Sequence, residues 1–233
     1  MLWKSKIKLK DFILDILFPK FCASCGLEGN YLCYDCFYLI EILDRQYCPF
    51  CNSPNLRTCP SCDKNLNGLF CAASYQNFIV KKMISEFKYE PFVRDLSKIL
   101  SYLIIIHLLN SNRIIFLNDF SLIPVPLYRK KLRQRGFNQS EEIAKELSSV
   151  FKIPLLKNAL IKTKNTDSQV DLKKEEREEN LKDAFICSDE VRNKKILLVD
   201  DVFTTGSTME ECAKILKKAG AKEVWGVAVA KGL

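Results

Sequence analysis

Four Cys-x2-Cys pairs crowd the start of this chain: Cys22 and Cys25, Cys33 and Cys36, Cys48 and Cys51, Cys59 and Cys62. The spacing of the first two pairs recurs in the second two, 26 residues further on. They account for eight of the eleven cysteines, and only Cys71, Cys187 and Cys212 lie beyond them. Each pair can form a tight turn that aims two thiolates at one tetrahedral ion, so eight cysteines suffice for two four-sulfur zinc sites. So short a stretch cannot bury enough apolar surface to fold unaided, and metal binding would supply the missing energy. A disulfide framework belongs to short exported chains. Asp11 and Asp15 interrupt what would be a signal peptide's apolar centre, so export is not expected and the setting is expected to be cytoplasmic. The spacing leaves open whether the pairs combine in order or interleave.

Residues 1–70 are expected to form this module, preceded by a helix in which Leu9, Phe12, Ile13, Ile16 and Leu17 recur at helical spacing until Pro19 ends it. That helix is expected to dock on its own protein; a basic amphipathic start could instead lie on a membrane surface. Residues 71–233 read as a second, α/β domain. Hydrophobic residues make up 48% and charged residues 27%, which excludes a disordered, a collagen-like or a multi-span membrane chain. The longest apolar stretch, 99–109, contains Ser101 and His107 and falls well short of the ~20 residues a spanning helix needs. The net charge of +8 favours phosphate-bearing partners. His107, alone of its kind, is expected to be packed rather than a ligand.

In the second domain, helices are expected at 78–88 and 92–109, strands near 114–117 and 122–125, and a helix at 140–150. A strand at 195–199, a polar loop, a helix at 208–219 stopped by Gly220, and a strand at 224–230 complete the chain. Strand, loop, helix and strand in that order predict a parallel sheet flanked by helices.

The run from Ile196 to Thr208 carries the chemistry. Four apolar residues form a buried strand, and Asp200 and Asp201 are expected at its C-terminal end, where open α/β sheets bind ligands. Thr204, Thr205, Gly206, Ser207 and Thr208 fill the turn into the helix, where hydroxyls and N–H groups can surround a phosphate. Gly206 is expected to let the backbone approach that phosphate closely. Ser207 and Glu210 also read as a capping box, which explains one hydroxyl but neither the others nor the acidic pair. A ribose 5-phosphate satisfies both halves, its phosphate on the loop and its 2′- and 3′-hydroxyls on Asp200 and Asp201. The Walker lysine and the Gly-x-Gly-x-x-Gly pattern are absent, which disfavours P-loop and dinucleotide sites.

This run resembles the phosphoribosyl pyrophosphate (PRPP) signature of type I phosphoribosyltransferases, and nearly the whole chain resembles the ComF/ComFC family, linked to natural competence and DNA uptake. The cysteine repeat is similar to that family's double zinc ribbon, and Phe87-Lys88-Tyr89 to its lysine-aromatic stretch. Residues 123–128 (Ile-Pro-Val-Pro-Leu-Tyr) and 135–139 (Arg-Gly-Phe-Asn-Gln) are similar to its most distinctive motif. Gln169, Arg177, Asn180 and Phe185 fall on a further run of the family. The resemblance implies a type I phosphoribosyltransferase fold binding PRPP with Mg2+. Asp200 and Asp201 would act as catalytic residues, and residues 204–208 would hold the 5-phosphate. Val125, Pro126, Leu127 and Tyr128, within the Pro124–Arg129 turn, would hold the diphosphate through backbone N–H groups, and residues 162–180 would form a lid. Lys162 stands where the family more often has arginine; it keeps the charge but loses the bidentate fork.

Arg129, Lys130, Lys131, Arg133 and Arg135 place five cations in seven residues directly after that turn. Such a run can bind a small polyanion or track a nucleic-acid backbone, with Tyr128 and Phe137 placed to stack on bases; it can equally be a solvated basic loop. Single-stranded DNA and other DNA-uptake proteins are the partners the family suggests. Two functional classes follow: a phosphoribosyltransferase, or a non-catalytic module that handles single-stranded DNA or senses PRPP. A pure zinc-ribbon interaction protein would leave the phosphate loop unexplained.

Overall fold

The computed structural model describes residues 19–44, 47–55, 57–165 and 184–232. The expected N-terminal helix, Gln169, Arg177, Asn180 and most of the expected lid lie outside them. In chain order the elements are α1 (Tyr34–Tyr38), β1 (Leu69–Ser74), α2 (Phe78–Lys88), α3 (Leu96–Asn110), β2 (Phe120–Pro124), α4 (Arg129–Arg135), α5 (Gln139–Phe151), β3 (Leu160–Lys162), β4 (Phe185–Cys187), β5 (Lys195–Phe203), α6 (Ser207–Lys218) and β6 (Glu223–Lys231).

Four strands form one parallel sheet in the order β1-β6-β5-β2, and β3 pairs with β4 in a separate antiparallel ribbon. The Ile196–Val199 run has no polar member because both faces of the sheet are covered. Leu197 and Val199 face a core built with Val80, Met83, Leu100, Leu103 and Ile143 of α2, α3 and α5. Ile196 and Leu198 face the opposite core with Cys212, Ala213 and Leu216 of α6. Asn77 starts α2 by accepting from the Ile79 and Val80 amides at 3.0 and 3.2 Å, a cap that contributes about 1 kcal/mol.

Residues 115–117 form a 3-10 turn, not the expected strand. The Phe116 ring lies 4.8 Å from Trp225, 5.3 Å from Phe120 and 6.0 Å from Phe70, so this apolar run plugs the N-terminal end of the sheet instead of lengthening it.

The two four-cysteine groups at the front dock on opposite faces. Cys22, Ala23, Cys36 and Ile40 join the α3 side, whereas Phe50 and Leu66 join the α6 side. Between them the chain passes the β1 edge, where the Leu43 N–H donates to the Ala72 carbonyl at 2.9 Å. Covering that edge removes a row of unpaired backbone groups. His107 is fully buried, with Nδ1 2.6 Å from the Leu43 carbonyl, so the lone histidine holds this crossing in place; burial lowers its pKa.

Candidate functional site

All four strands of the sheet point their C-terminal ends to one edge, and a cavity of about 510 Å³ opens there. Pairing of β5 with β2 stops at Val199, but β5 runs on to Phe203 beside β6. Asp200 and Asp201 therefore lie within the strand rather than after it, at the level where the neighbouring strand has ended, and both line the cavity. The loop of residues 204–208 forms one wall and Val125, Pro126 and Leu127 another. Four cations, Lys88, Lys131, Arg135 and Lys162, line it as well.

The two carboxylates have different surroundings. Asp201 is buried and its Oδ1 pairs with Lys88 Nζ at 2.8 Å. Asp200 accepts from the Ser140 hydroxyl and from the Asp201 amide, each at 2.9 Å. Burial, and then the adjacent Asp201 charge, push Asp200 up to about 7, against the pull of Lys88. Lys162, half-buried on β3 with Nζ 5.5 Å from the Phe185 ring centre, is pushed down to about 8 by burial and by Lys131. A carboxyl raised and an amine lowered toward neutrality in one cleft make it the candidate functional site.

Residues 135–140 tie these walls together. Asn138 caps α5 by accepting from the Ser140 amide at 3.1 Å and donates to the Val125 carbonyl at 3.0 Å. Gln139 donates to the Phe87 carbonyl at 2.9 Å and accepts from Arg135 at 3.1 Å. The end of α2, the turn after β2 and Asp200 are thus set by one short segment.

At the other wall Gly206 has φ +80° and precedes the first residue of α6. The N-cap is Gly206, and Ser207 is already the first helical residue, so the capping-box reading of Ser207 fails. Glu210 instead accepts from the Asn65 amide and side chain, each at 2.8 Å, and from the Leu66 amide at 3.1 Å. A Cβ at Gly206 would fall 2.5 Å from the Phe203 ring and 2.9 Å from the Phe50 ring. The glycine supplies the left-handed backbone that this turn requires, and any side chain here would meet both rings.

The cysteines combine in order. The sulfurs of Cys22, Cys25, Cys33 and Cys36 lie within 4.8 Å of one another, as do those of Cys48, Cys51 and Cys59, and Cys62 joins the second group through a 3.7 Å contact with Cys48. Separations of 3.6 Å between Cys25 and Cys33 and between Cys51 and Cys59 match the roughly 3.8 Å edge of a tetrahedron with 2.3 Å zinc–sulfur bonds. They are far too long for disulfides. Amides of Cys33 and Cys59 donate to Cys22 and Cys48 sulfurs at 3.4 and 3.3 Å, which favours thiolates. Both groups could bind zinc.

Residues 138–232 match the family described as phosphoribosyl transferase domain. The chain is 42% identical over 113 residues to Competence protein F of Haemophilus influenzae, a match covering 46% of this chain and 49% of that protein. To Competence protein ComFC of Streptococcus pneumoniae it is 28% identical over 202 residues, covering 84% of this chain and 86% of the other. To DNA utilization protein YhgH of Shigella flexneri it is 30% identical over 191 residues, covering 78% of this chain and 83% of the other. The chain belongs to the ComF/ComFC family. Its sheet and helices form a type I phosphoribosyltransferase fold, preceded by cysteine clusters of zinc-ribbon kind.

In this ComF/ComFC chain the basic run is not a loop but the helix α4, and helical spacing divides it. Lys131 and Arg135, four residues apart, face the cavity with the two carboxylates. Arg129, Lys130 and Arg133 face a second, open groove of about 570 Å³, shared with Tyr128 and Asn165. Tyr128 thus leaves the group formed by Val125, Pro126 and Leu127. Phe137 cannot stack on bases: it is 9% exposed, with its ring 5.4 Å from Phe87 in the core and Arg94 across its face. An aromatic among cations reads as a stacking surface in sequence, but Gly136 ends α4 and turns the chain inward.

Lys88 and Ser140 join the site through contacts that residue types and spacing do not announce. Phe87-Lys88-Tyr89 is similar to a family motif, yet only the tertiary fold brings Lys88, the last residue of α2, to Asp201 on β5. Nothing local distinguishes Ser140 from any other helix-start serine.

No helix among the described residues is long and apolar enough to cross a membrane.

Proposed function

We propose that this protein binds PRPP with Mg2+ at the C-terminal edge of its sheet and acts as a phosphoribosyltransferase in DNA uptake. The observation that carries this is the cavity that joins a phosphate-type loop at a helix start to two strand-borne carboxylates and four cations. Thr204 to Thr208 would hold the 5-phosphate. Asp200 and Asp201 would accept from the ribose 2′- and 3′-hydroxyls, and the Val125–Leu127 backbone, Lys162, Lys131 and Arg135 would receive the diphosphate. Carboxylate oxygens are the hard donors that Mg2+ prefers, so Asp200 and Asp201 suit a Mg2+–PRPP complex, in which the ion would neutralise diphosphate charge. As the bond from C1 to diphosphate breaks and an acceptor attacks, the carboxylates would stabilise the positive charge developing on the sugar. Calorimetry with PRPP and Mg2+, followed by diphosphate release with free bases and single-stranded DNA as acceptors, tests the reading. Absence of PRPP binding removes it; binding without release for any acceptor reduces the site to a sensor.

The groove lined by Arg129, Lys130 and Arg133 favours a second role in holding single-stranded DNA. Arg133→Ala is then expected to weaken single-strand binding and lower its salt slope by about one unit, leaving PRPP affinity unchanged. Arg135→Ala should do the reverse. Equal behaviour of the two variants would return α4 to a solvated face.

We further propose one structural zinc in each cysteine cluster, residues 1–70 forming the metal module and 71–233 the PRPP-binding domain, in a reducing, cytoplasmic setting. Four thiolates leave no open position for water, so neither ion would be catalytic. Metal analysis should find two zinc ions per chain. Cys33→Ser should lose one of them, unfold the first ribbon and lower the melting temperature, with the second cluster still loaded. Less than one zinc in the wild type would sink this proposal.

A further inference from the structure

We infer that the second cysteine ribbon is a positioning element of the phosphate loop, with Phe50 and Glu210 holding residues 204–208 in their ligand-ready shape; this rests on the PRPP reading for its ligand but not for its geometry. Phe50 lies between Cys48 and Cys51 of the second cluster. Its ring meets Phe203 edge-on at 6.1 Å and comes within 2.9 Å of where a Cβ on Gly206 would be. One turn into α6, Glu210 takes three hydrogen bonds from Asn65 and Leu66, at the exit of the same ribbon. Lys231, the last residue of β6, donates to Asn52 at 2.6 Å, a further tie between that ribbon and the sheet. Neither Phe50 nor Glu210 lines the cavity, so both would act through the loop rather than on a ligand.

The consequence follows from how the ribbon is built. The second ribbon is held together by its four cysteines, so the two anchors on either side of Gly206 are only as firm as that cluster. A loop that must be ordered on binding weakens affinity, and one ordered beforehand does not. Filling the Cys48, Cys51, Cys59 and Cys62 cluster thereby strengthens phosphate binding at a site none of them touches. The first ribbon, on the opposite face, has no such connection to the loop among the described residues.

Hydrogen exchange followed by mass spectrometry on the full, zinc-loaded chain tests this without any ligand. In Phe50→Ala, amides 204–208 are expected to exchange about tenfold faster while amides 196–199 keep wild-type protection. Zinc content should be unchanged, PRPP affinity measured with Mg2+ should fall by a similar factor, and Phe50→Tyr should restore both. Should Phe50→Ala lose zinc or expose 196–199, Glu210→Gln decides, because its position lies outside the cluster: faster loop exchange upholds the inference and wild-type exchange overturns it. Wild-type exchange in both variants overturns it outright. A wild-type chain that fails to bind PRPP removes the proposed ligand, and the exchange result still stands or falls by itself.

Discussion

Gly206→Val should abolish PRPP binding, with affinity falling more than about a hundredfold, and should lower the melting temperature as well. Two costs combine. The backbone at 206 has φ +80°, and an L-residue held there costs about 1–2 kcal/mol, more for a β-branched one. The new Cβ would also stand 2.5 Å from the Phe203 ring and 2.9 Å from the Phe50 ring, and overpacking of this kind costs about 1–3 kcal/mol. The loop can escape only by moving away from both rings, which displaces residues 204–208 from the wall of the cavity. At about 2–4 °C per kcal/mol for a chain of this size, the strain should show in a thermal melt. A Gly206→Val chain that binds PRPP like the wild type would refute this account of the loop.

Replacing Asp200 and Asp201 together by Ala is expected to lower PRPP affinity by roughly a hundredfold, since each charged hydrogen bond contributes about 1.5–3 kcal/mol. The single variants should separate the carboxylates by sign. Asp201 balances half-buried Lys88, so Asp201→Asn should destabilise the fold. Asp200 is crowded by Asp201, so Asp200→Asn should raise the melting temperature above pH 7. The linkage runs in the same sense. A carboxyl raised from 3.8 to about 7 holds its proton in the folded chain while the unfolded chain has released it, so this group's contribution to stability is full below about pH 4 and is lost as pH rises through 7. Ligand affinity should run the other way, climbing through pH 7 as Asp200 ionises and becomes a stronger acceptor. Above about 8 it should fall again as Lys162 loses its proton, and Lys162→Arg should remove that alkaline fall while the acid limb stays. A pH-independent affinity between 6 and 9 would contradict the assignment of both residues.

Local pattern was enough for much of this molecule. The regular cysteine spacing pointed to two four-sulfur clusters able to bind zinc because knuckle geometry is set within a few residues. The run from Ile196 to Thr208 pointed to the cavity at the sheet edge because strand, acidic pair and hydroxyl-rich turn are contiguous. The helix at 78–88 and the last strand-helix-strand unit were legible from periodicity for the same reason. Periodicity erred at Ile114–Leu117, where a short apolar run has no period of its own and aromatic packing chose a turn.

What the sequence by itself determined, then, is the set of local units: knuckles, the strand-turn-helix run from Ile196 to Thr208 and the family to which they belong. Only the tertiary structure decided how they meet. It paired the knuckles in order, set the two ribbons on opposite faces of the sheet, and brought Lys88 to Asp201 and Ser140 to Asp200 across long chain separations. It buried Phe137, divided the cations of α4 between two grooves, and set the Phe203 and Phe50 rings against Gly206. Each of these depends on which faces of separate elements are pressed together, and that is settled by burying apolar area across the whole chain rather than by any residue's neighbours in sequence.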